Sequence, residues 1–149
     1  MPVPIVYRTE AHFDALGTTF TQSGVQVVYF TDTTEKYIDD AAGLLMTDGQ
    51  SSSGWGEVSI NNVYLDPYNY ISFWARMTEI NVEWGYPHVF VGSHEIWRDA
   101  PESNTNRAWH EVLIDVSMFD AVANIRFRFT DPSGTGGNRS FWFDYIRLI

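Results

Sequence analysis

The clearest alternation of apolar and polar positions lies in Ile125-Arg-Phe-Arg-Phe129. Ile125, Phe127 and Phe129 fall on one side of an extended strand, Arg126 and Arg128 on the other. That strand has one apolar face and one wet or ion-paired face. In a chain with 19 acidic residues, carboxylates on neighbouring strands are the expected partners of the two arginines. Further strand-like runs fall at residues 5–8, 24–31, 44–47, 57–63, 70–78, 87–92 with 94–98, 111–115, 124–130 and 141–148. Clusters of Asp, Asn, Gly, Ser and Pro separate them, at 48–54, 66–69, 99–106 and 131–138, where turns or positive φ are tolerated. About eight or nine strands at this rhythm predict an antiparallel β-sandwich rather than an alternating α/β plan.

Helical periodicity is weak. Residues 34–42 and 116–121 predict only short helical turns, because neither carries a 3.6-residue apolar stripe through three turns. The last nine residues, Phe141-Trp-Phe-Asp-Tyr-Ile-Arg-Leu-Ile149, predict a closing strand with apolar bulk on both faces. Strict alternation puts Trp142, Asp144, Ile146 and Leu148 on one side and Phe141, Phe143, Tyr145 and Arg147 on the other. Such a strand belongs inside a sheet, so both chain ends are expected to be tied into one domain spanning residues 1–149.

Composition narrows the function classes. Aromatic residues reach 16% with six tryptophans, generous for a core of this size, so some rings are expected to face solvent. A formal charge of -10 argues against a basic groove for a polyanion, and nucleic acid is not an expected partner. The chain has no cysteine, which removes disulfides and thiolate metal sites. No run approaches membrane-spanning length, so no membrane insertion is expected. The start, Met1-Pro-Val-Pro-Ile-Val-Tyr-Arg8, lacks the features of a secretory signal. Two histories suit such a chain: a mature domain cut from a secreted protein, or a polypeptide released by lysis or assembly. Either places it extracellularly or on a virion surface.

Three pieces follow in one order: Trp109-His-Glu-Val-Leu-Ile-Asp-Val-Ser117, then Ile125-Arg-Phe-Arg-Phe129, then, after a Gly-rich hairpin, Phe141-Trp-Phe-Asp-Tyr-Ile-Arg-Leu148. Together they resemble the closing strands of the galactose-binding-like jelly rolls, a superfamily that includes many non-catalytic carbohydrate-binding modules. Gly54-Trp-Gly-Glu-Val58 and Tyr70-Ile-Ser-Phe-Trp-Ala-Arg76 look like its middle strands. The resemblance implies an all-β jelly roll that binds a glycan without catalysing a reaction. In the calcium-dependent members a structural ion joins an N-terminal acid to the aspartate of the last strand. The matching positions here are Glu10 and Asp144, the alternative being that Asp144 accepts backbone or arginine hydrogen bonds.

Sugar rings present apolar C–H faces and hydroxyls that demand hydrogen bonds, so a sugar site needs an aromatic platform beside a few polar groups. Val82-Glu-Trp-Gly-Tyr-Pro-His88 puts Trp84 and Tyr86 in a connection suited to displaying rings. Trp97 and Arg98 lie at the entrance to another loop, and Trp55 emerges from the Ser/Gly-rich one. These five are the expected ligand-binding residues, whereas Trp74, Trp109 and Trp142 sit within strand patterns and are expected in the core. No catalytic constellation stands out. His88 and His94 could share a metal only if a hairpin brought them together, and Ser93-His94-Glu95 points its neighbours to opposite strand faces. The competing expectation is structural: a phage capsid decoration or tail-associated protein, homo-oligomeric or lattice-bound, whose exposed aromatics dock on other virion or cell-surface proteins.

Overall fold

Eleven strands build two sheets in the computed structural model, which describes residues 5–7, 19–24, 27–38, 41–47, 53–119, 122–132 and 138–149. In chain order they are β1 (Ile5–Tyr7), β2 (Thr19–Gly24), β3 (Val27–Asp32), β4 (Ala42–Thr47), β5 (Gly54–Tyr64), β6 (Tyr70–Ile80), β7 (Tyr86–Val91), β8 (His94–Arg98), β9 (Thr105–Asp115), β10 (Val122–Asp131) and β11 (Ser140–Leu148). One sheet runs β3-β4-β11-β6-β9, with β1 also on β11; the other runs β2-β5-β10-β7-β8. Every pairing is antiparallel. The result is the expected all-β jelly-roll sandwich, with β2 and the first half of β9 as strands beyond those expected.

No helix occurs among the described residues. At both places where a helical turn is expected, an aspartate captures the local amides instead. Asp32 Oδ1 accepts the N–H groups of Thr34 and Glu35, and Asp115 Oδ1 accepts the N–H and hydroxyl of Ser117. Such short side-chain bonds favour turns, and no apolar stripe follows to extend a helix. The Gly-rich tip at 133–137, like Asp39-Asp40, lies outside the described residues.

The core is an aromatic interleave between the sheets. Phe127 of β10 stacks on Phe143 of β11 at 4.6 Å between ring centroids and meets Phe73 of β6 edge-on at 5.1 Å. All three rings are fully buried. Ile125, Phe127 and Phe129 face this core as the alternation predicts. Removing one such ring costs about 3 to 5 kcal/mol in general, because a cavity replaces dense contacts.

Alternation fails in β11, and the failure is informative. Its pairing with β6 shifts register between Asp144 and Arg147, and Tyr145 adopts φ 51°. This bulge moves the chain by one position, so Phe141, Phe143, Ile146 and Leu148 all reach the core. The expected grouping of Trp142 with Ile146 and Leu148 is therefore corrected. One edge of β11 is divided: β4 pairs with Ser140 to Phe143, and β1 with Ile146 to Leu148. The bulge sits at the junction.

Of the three tryptophans expected in the core, Trp142 is buried, though in a second cluster outside the space between the sheets, while Trp74 and Trp109 are only partly buried. Phe73, Ala75, Phe141 and Phe143 take the inward positions of β6 and β11, which sends Trp74 and Trp142 outward. Trp142 joins Ala42 and Leu44 in a small second cluster, against which Trp109 packs. Tyr37 covers Trp74 in a near-parallel stack, 3.9 Å between centroids and 7° between planes.

Candidate functional site

The outer face of the β2-β5-β10-β7-β8 sheet gathers the polar and aromatic groups that the core excludes. Cross-strand partners point to the same side, so the registers define rows. One row reads Ser23, Trp55, Thr130, Tyr86. The next reads Thr21, Glu57, Arg128, His88, Arg98, and the third Thr19, Ser59, Arg126, Phe90, Glu95. Trp55 and Tyr86 sit two strands apart, roughly 10 Å in the hydrogen-bonding direction.

Glu57 organises the centre. It is 5% exposed and accepts Arg126 Nη1 at 2.9 Å and Arg128 Nε at 2.8 Å. The carboxylate expected for the two arginines is thus Glu57, which both hold by charge-assisted hydrogen bonds. Arg126 also donates Nε and Nη2 to the carbonyl of Gly92. That carbonyl is presented by the β7–β8 turn, where glycine accepts φ 59° without the cost a side chain would incur. The Arg128 guanidinium lies 4.0 Å from the Trp55 ring centroid and 4.9 Å from that of Phe90. Arg98 similarly lies over Tyr86 at 5.1 Å.

His88 is the second buried polar group, 5% exposed. Burial pushes its pKa below the ordinary 6.5; the hydrogen bond and charge of Glu95 oppose this, while Arg128 and Arg98 reinforce it. The ring is therefore neutral at pH 7. Glu95 loses some solvation, which raises its pKa, but hydrogen bonds from Arg98 and His88 carry it below its ordinary value. An ionised Glu95 accepts, so His88 Nδ1 carries the proton and donates to Glu95 Oε2 at 2.9 Å. His88 Nε2 then accepts from the Thr130 hydroxyl at 2.7 Å.

A bulge in β8 explains why only some expected residues meet here. Register shifts between Val89 and Phe90, so Glu95 and Arg98 both face outward while Trp97 stands opposite Val89 and faces in. The Trp97 ring rests edge-on against Phe73 at 5.5 Å and packs on the core. Trp84 belongs to the turn from Asn81 to Gly85, where Asn81 Oδ1 accepts its amide and that of Glu83. Its ring meets the Arg139 guanidinium at 5.1 Å. Of the five expected ligand-binding residues, Trp55, Tyr86 and Arg98 share this face; Trp97 and Trp84 lie apart from it.

Glu57, His88, Phe90, Arg128 and Thr130 are members the sequence reading did not name as ligand-binding. The signal was present in Tyr86-Pro-His-Val-Phe90, whose period of two puts Tyr86, His88 and Phe90 on one side once β7 starts at Tyr86.

His94 pairs with Val91 and His88 with Arg98, so the β7–β8 hairpin does not join the two histidines. Among the described residues, no three His, Asp or Glu side chains converge as metal ligands. Asp144, 1% exposed, accepts the N–H groups of Tyr37 and Ile38 on one oxygen and that of Tyr145 on the other. Glu10 lies outside the described residues. A calcium ion wants six to eight oxygens, and the amide hydrogens directed at Asp144 fit a hydrogen-bonded carboxylate better than a cation ligand. A shallow concavity of about 330 Å³ runs beside β9, lined by Asn106, Arg107, Ala108, Trp109 and His110. It lies on the other sheet and shares no residue with the aromatic face.

This architecture has well-defined structural counterparts. CBM27-1 of Caldicellulosiruptor saccharolyticus, solved with mannohexaose, superposes with a TM-score of 0.68 at 10% identity, covering 99% of this chain and 97% of that one. A cleaved adhesin domain of Lys-gingipain from Porphyromonas gingivalis gives 0.64 at 7% identity over 99% and 98%. The family 11 carbohydrate-binding module of Clostridium thermocellum, solved with a β-1,3-1,4-mixed-linked tetrasaccharide, gives 0.60 at 14% identity over 100% and 97%. No family model matches the sequence, and no curated protein matches it. The chain therefore shares the jelly-roll β-sandwich fold of these carbohydrate-binding modules and of the adhesin domain.

Proposed function

We propose that the protein is a non-catalytic glycan-binding module whose ligand lies across the outer face of the β2-β5-β10-β7-β8 sheet, displayed outside the cell. One observation carries the reading: Trp55 and Tyr86 occupy a single row two strands apart, with Thr130 between them and the buried Glu57 and His88 in the adjacent row. Rings at that spacing offer apolar contact to separate sugars of one chain, and the polar groups address the hydroxyls. The likeness to sugar-bound modules supports this at the level of fold. His88 fits a positioning role better than a catalytic one, because both its ring nitrogens are engaged within the protein.

A glycan-array screen of the purified chain, repeated with Trp55→Ala and Tyr86→Ala, tests the reading. Specific retention that both variants lose supports it, and retention that survives both moves the site elsewhere. An assembly role would use other surfaces, such as the exposed cross-strand pair Tyr64 and Val122. Light scattering on the same sample distinguishes a monomeric module from a lattice-forming subunit.

A further inference from the structure

We infer that this face takes an acidic glycan, a uronate-containing oligosaccharide whose carboxylate is received by Arg128. The inference rests on the glycan-binding reading above and names the ligand class within it.

The three arginines of the face are not equivalent. Arg126 has Nε, Nη1 and Nη2 all donating, to Gly92 and Glu57. Arg98 donates Nε and Nη2 to Glu95. Arg128 donates only Nε, to Glu57, and among the described residues neither of its terminal nitrogens meets an acceptor. Its side chain is 19% exposed, so part of it reaches solvent. A guanidinium carries five N–H donors in a rigid planar fork, and four of these meet no acceptor among the described residues. The Trp55 and Phe90 rings on which it rests limit its motion. A held fork with two terminal nitrogens free matches the two oxygens of a carboxylate, whereas a single hydroxyl fills it only in part.

Charge points the same way. Glu57 is shared by two arginines and Glu95 is matched by Arg98, which leaves one positive charge in excess at the centre of the sheet. His88 is neutral and adds none. This net positive centre stands against a chain of net charge -10. Partial exclusion of water strengthens its attraction for an anion. The outward residues of the flanking β2 are Thr19, Thr21 and Ser23, none of which repels one.

The test uses the intact chain and oligosaccharides of galacturonate, glucuronate and mannuronate, each paired with its neutral methyl ester, alongside mannohexaose. Calorimetric titration is expected to show at least one acid form binding about tenfold or more tighter than its ester, with the advantage shrinking as salt is added. Arg128→Lys, which keeps the charge and loses the fork, should lose most of that preference while still binding the ester. Esters or mannohexaose bound as tightly as every acid form would overturn the carboxylate assignment and leave glycan binding standing. No binding to any sugar here or on the array would remove both. The ester comparison needs no variant, so it decides the matter even if Arg128→Lys folds poorly.

Discussion

Arg128 lies over the Trp55 ring, its guanidinium carbon 4.0 Å from the ring centroid, while its Nε is tied to Glu57. The stack links stability and recognition through one pair, but unequally. Trp55 is only half-buried, and a partly exposed cation–π contact contributes about 0.5 to 1 kcal/mol. Trp55→Ala should therefore lower the melting temperature by only about 2 to 4 °C while abolishing glycan retention. Trp84→Ala is the control, since Trp84 sits in the Asn81–Gly85 turn away from this face. It should leave retention intact. Affinity electrophoresis beside thermal melts reads both quantities, and loss of retention in Trp84→Ala but not in Trp55→Ala would move the site to that turn.

Glu57 should behave in the opposite way, as a residue whose loss is felt first in stability. It is 5% exposed and is the shared acceptor of Arg126 and Arg128, which retain side-chain exposures of 22% and 19%. Breaking a buried ion pair from one side typically costs 3 to 5 kcal/mol; because these arginines still reach water, about 2 to 3 kcal/mol is expected for Glu57→Gln. Urea unfolding checks the value. A change below about 0.5 kcal/mol would mean that the pair is solvated as an ordinary surface bridge.

The parts of this molecule that were legible in the sequence are those governed by period two. Ile125, Phe127 and Phe129 against Arg126 and Arg128 foretold a core face and a wet or ion-paired one, and the structure pairs both arginines with Glu57. Bulges hid the rest. In β8 a shift of register turned Trp97 into the core and brought Glu95 and Arg98 to one side; in β11 another shift put Ile146 and Leu148 behind Phe143. A bulge depends on pairing with a distant strand, and a local reading of alternation does not contain that information. Alternation alone sets His88 on the same side as Tyr86, but its neighbours Thr130 and Arg128 come from β10 and follow only from the pairing.

The buried His88 predicts a pH dependence with a definite sign. Its native pKa lies below the ordinary 6.5, so the unfolded chain takes up a proton before the folded one does as pH falls. The contribution to stability is full above 6.5 and is lost as pH drops through the window beneath it. Urea midpoints should fall between about pH 7 and pH 5 in the parent chain, and fall less steeply in His88→Gln. The slope is the comparison to make, since the variant also loses bonds to Glu95 and Thr130. The lowered carboxylates Asp32, Asp115 and Glu95 lose their contributions only below their own ordinary values, 3.8 for the aspartates and 4.5 for Glu95, which keeps the two regimes apart. Equal slopes in parent and variant would assign the effect to another group.

Asp144 ties the segment before β4 to the bulge of β11 by accepting three amide hydrogens, from Tyr37, Ile38 and Tyr145. Those bonds hold Tyr37 where its ring covers Trp74. Asp144→Ala should strand the three donors at a cost of about 2 to 4 kcal/mol and raise amide exchange at Tyr37 and Ile38. It should also weaken the near-ultraviolet signal of the stacked rings. Chelation separates this role from a metal-binding one. If the amides satisfy the carboxylate, excess EDTA leaves the melting curve of the parent chain unchanged, because no ion stabilises the native state by linkage. A drop in melting temperature that added calcium reverses would instead make Asp144 a cation ligand, and Asp144→Asn, which keeps one acceptor oxygen, should then abolish the calcium response.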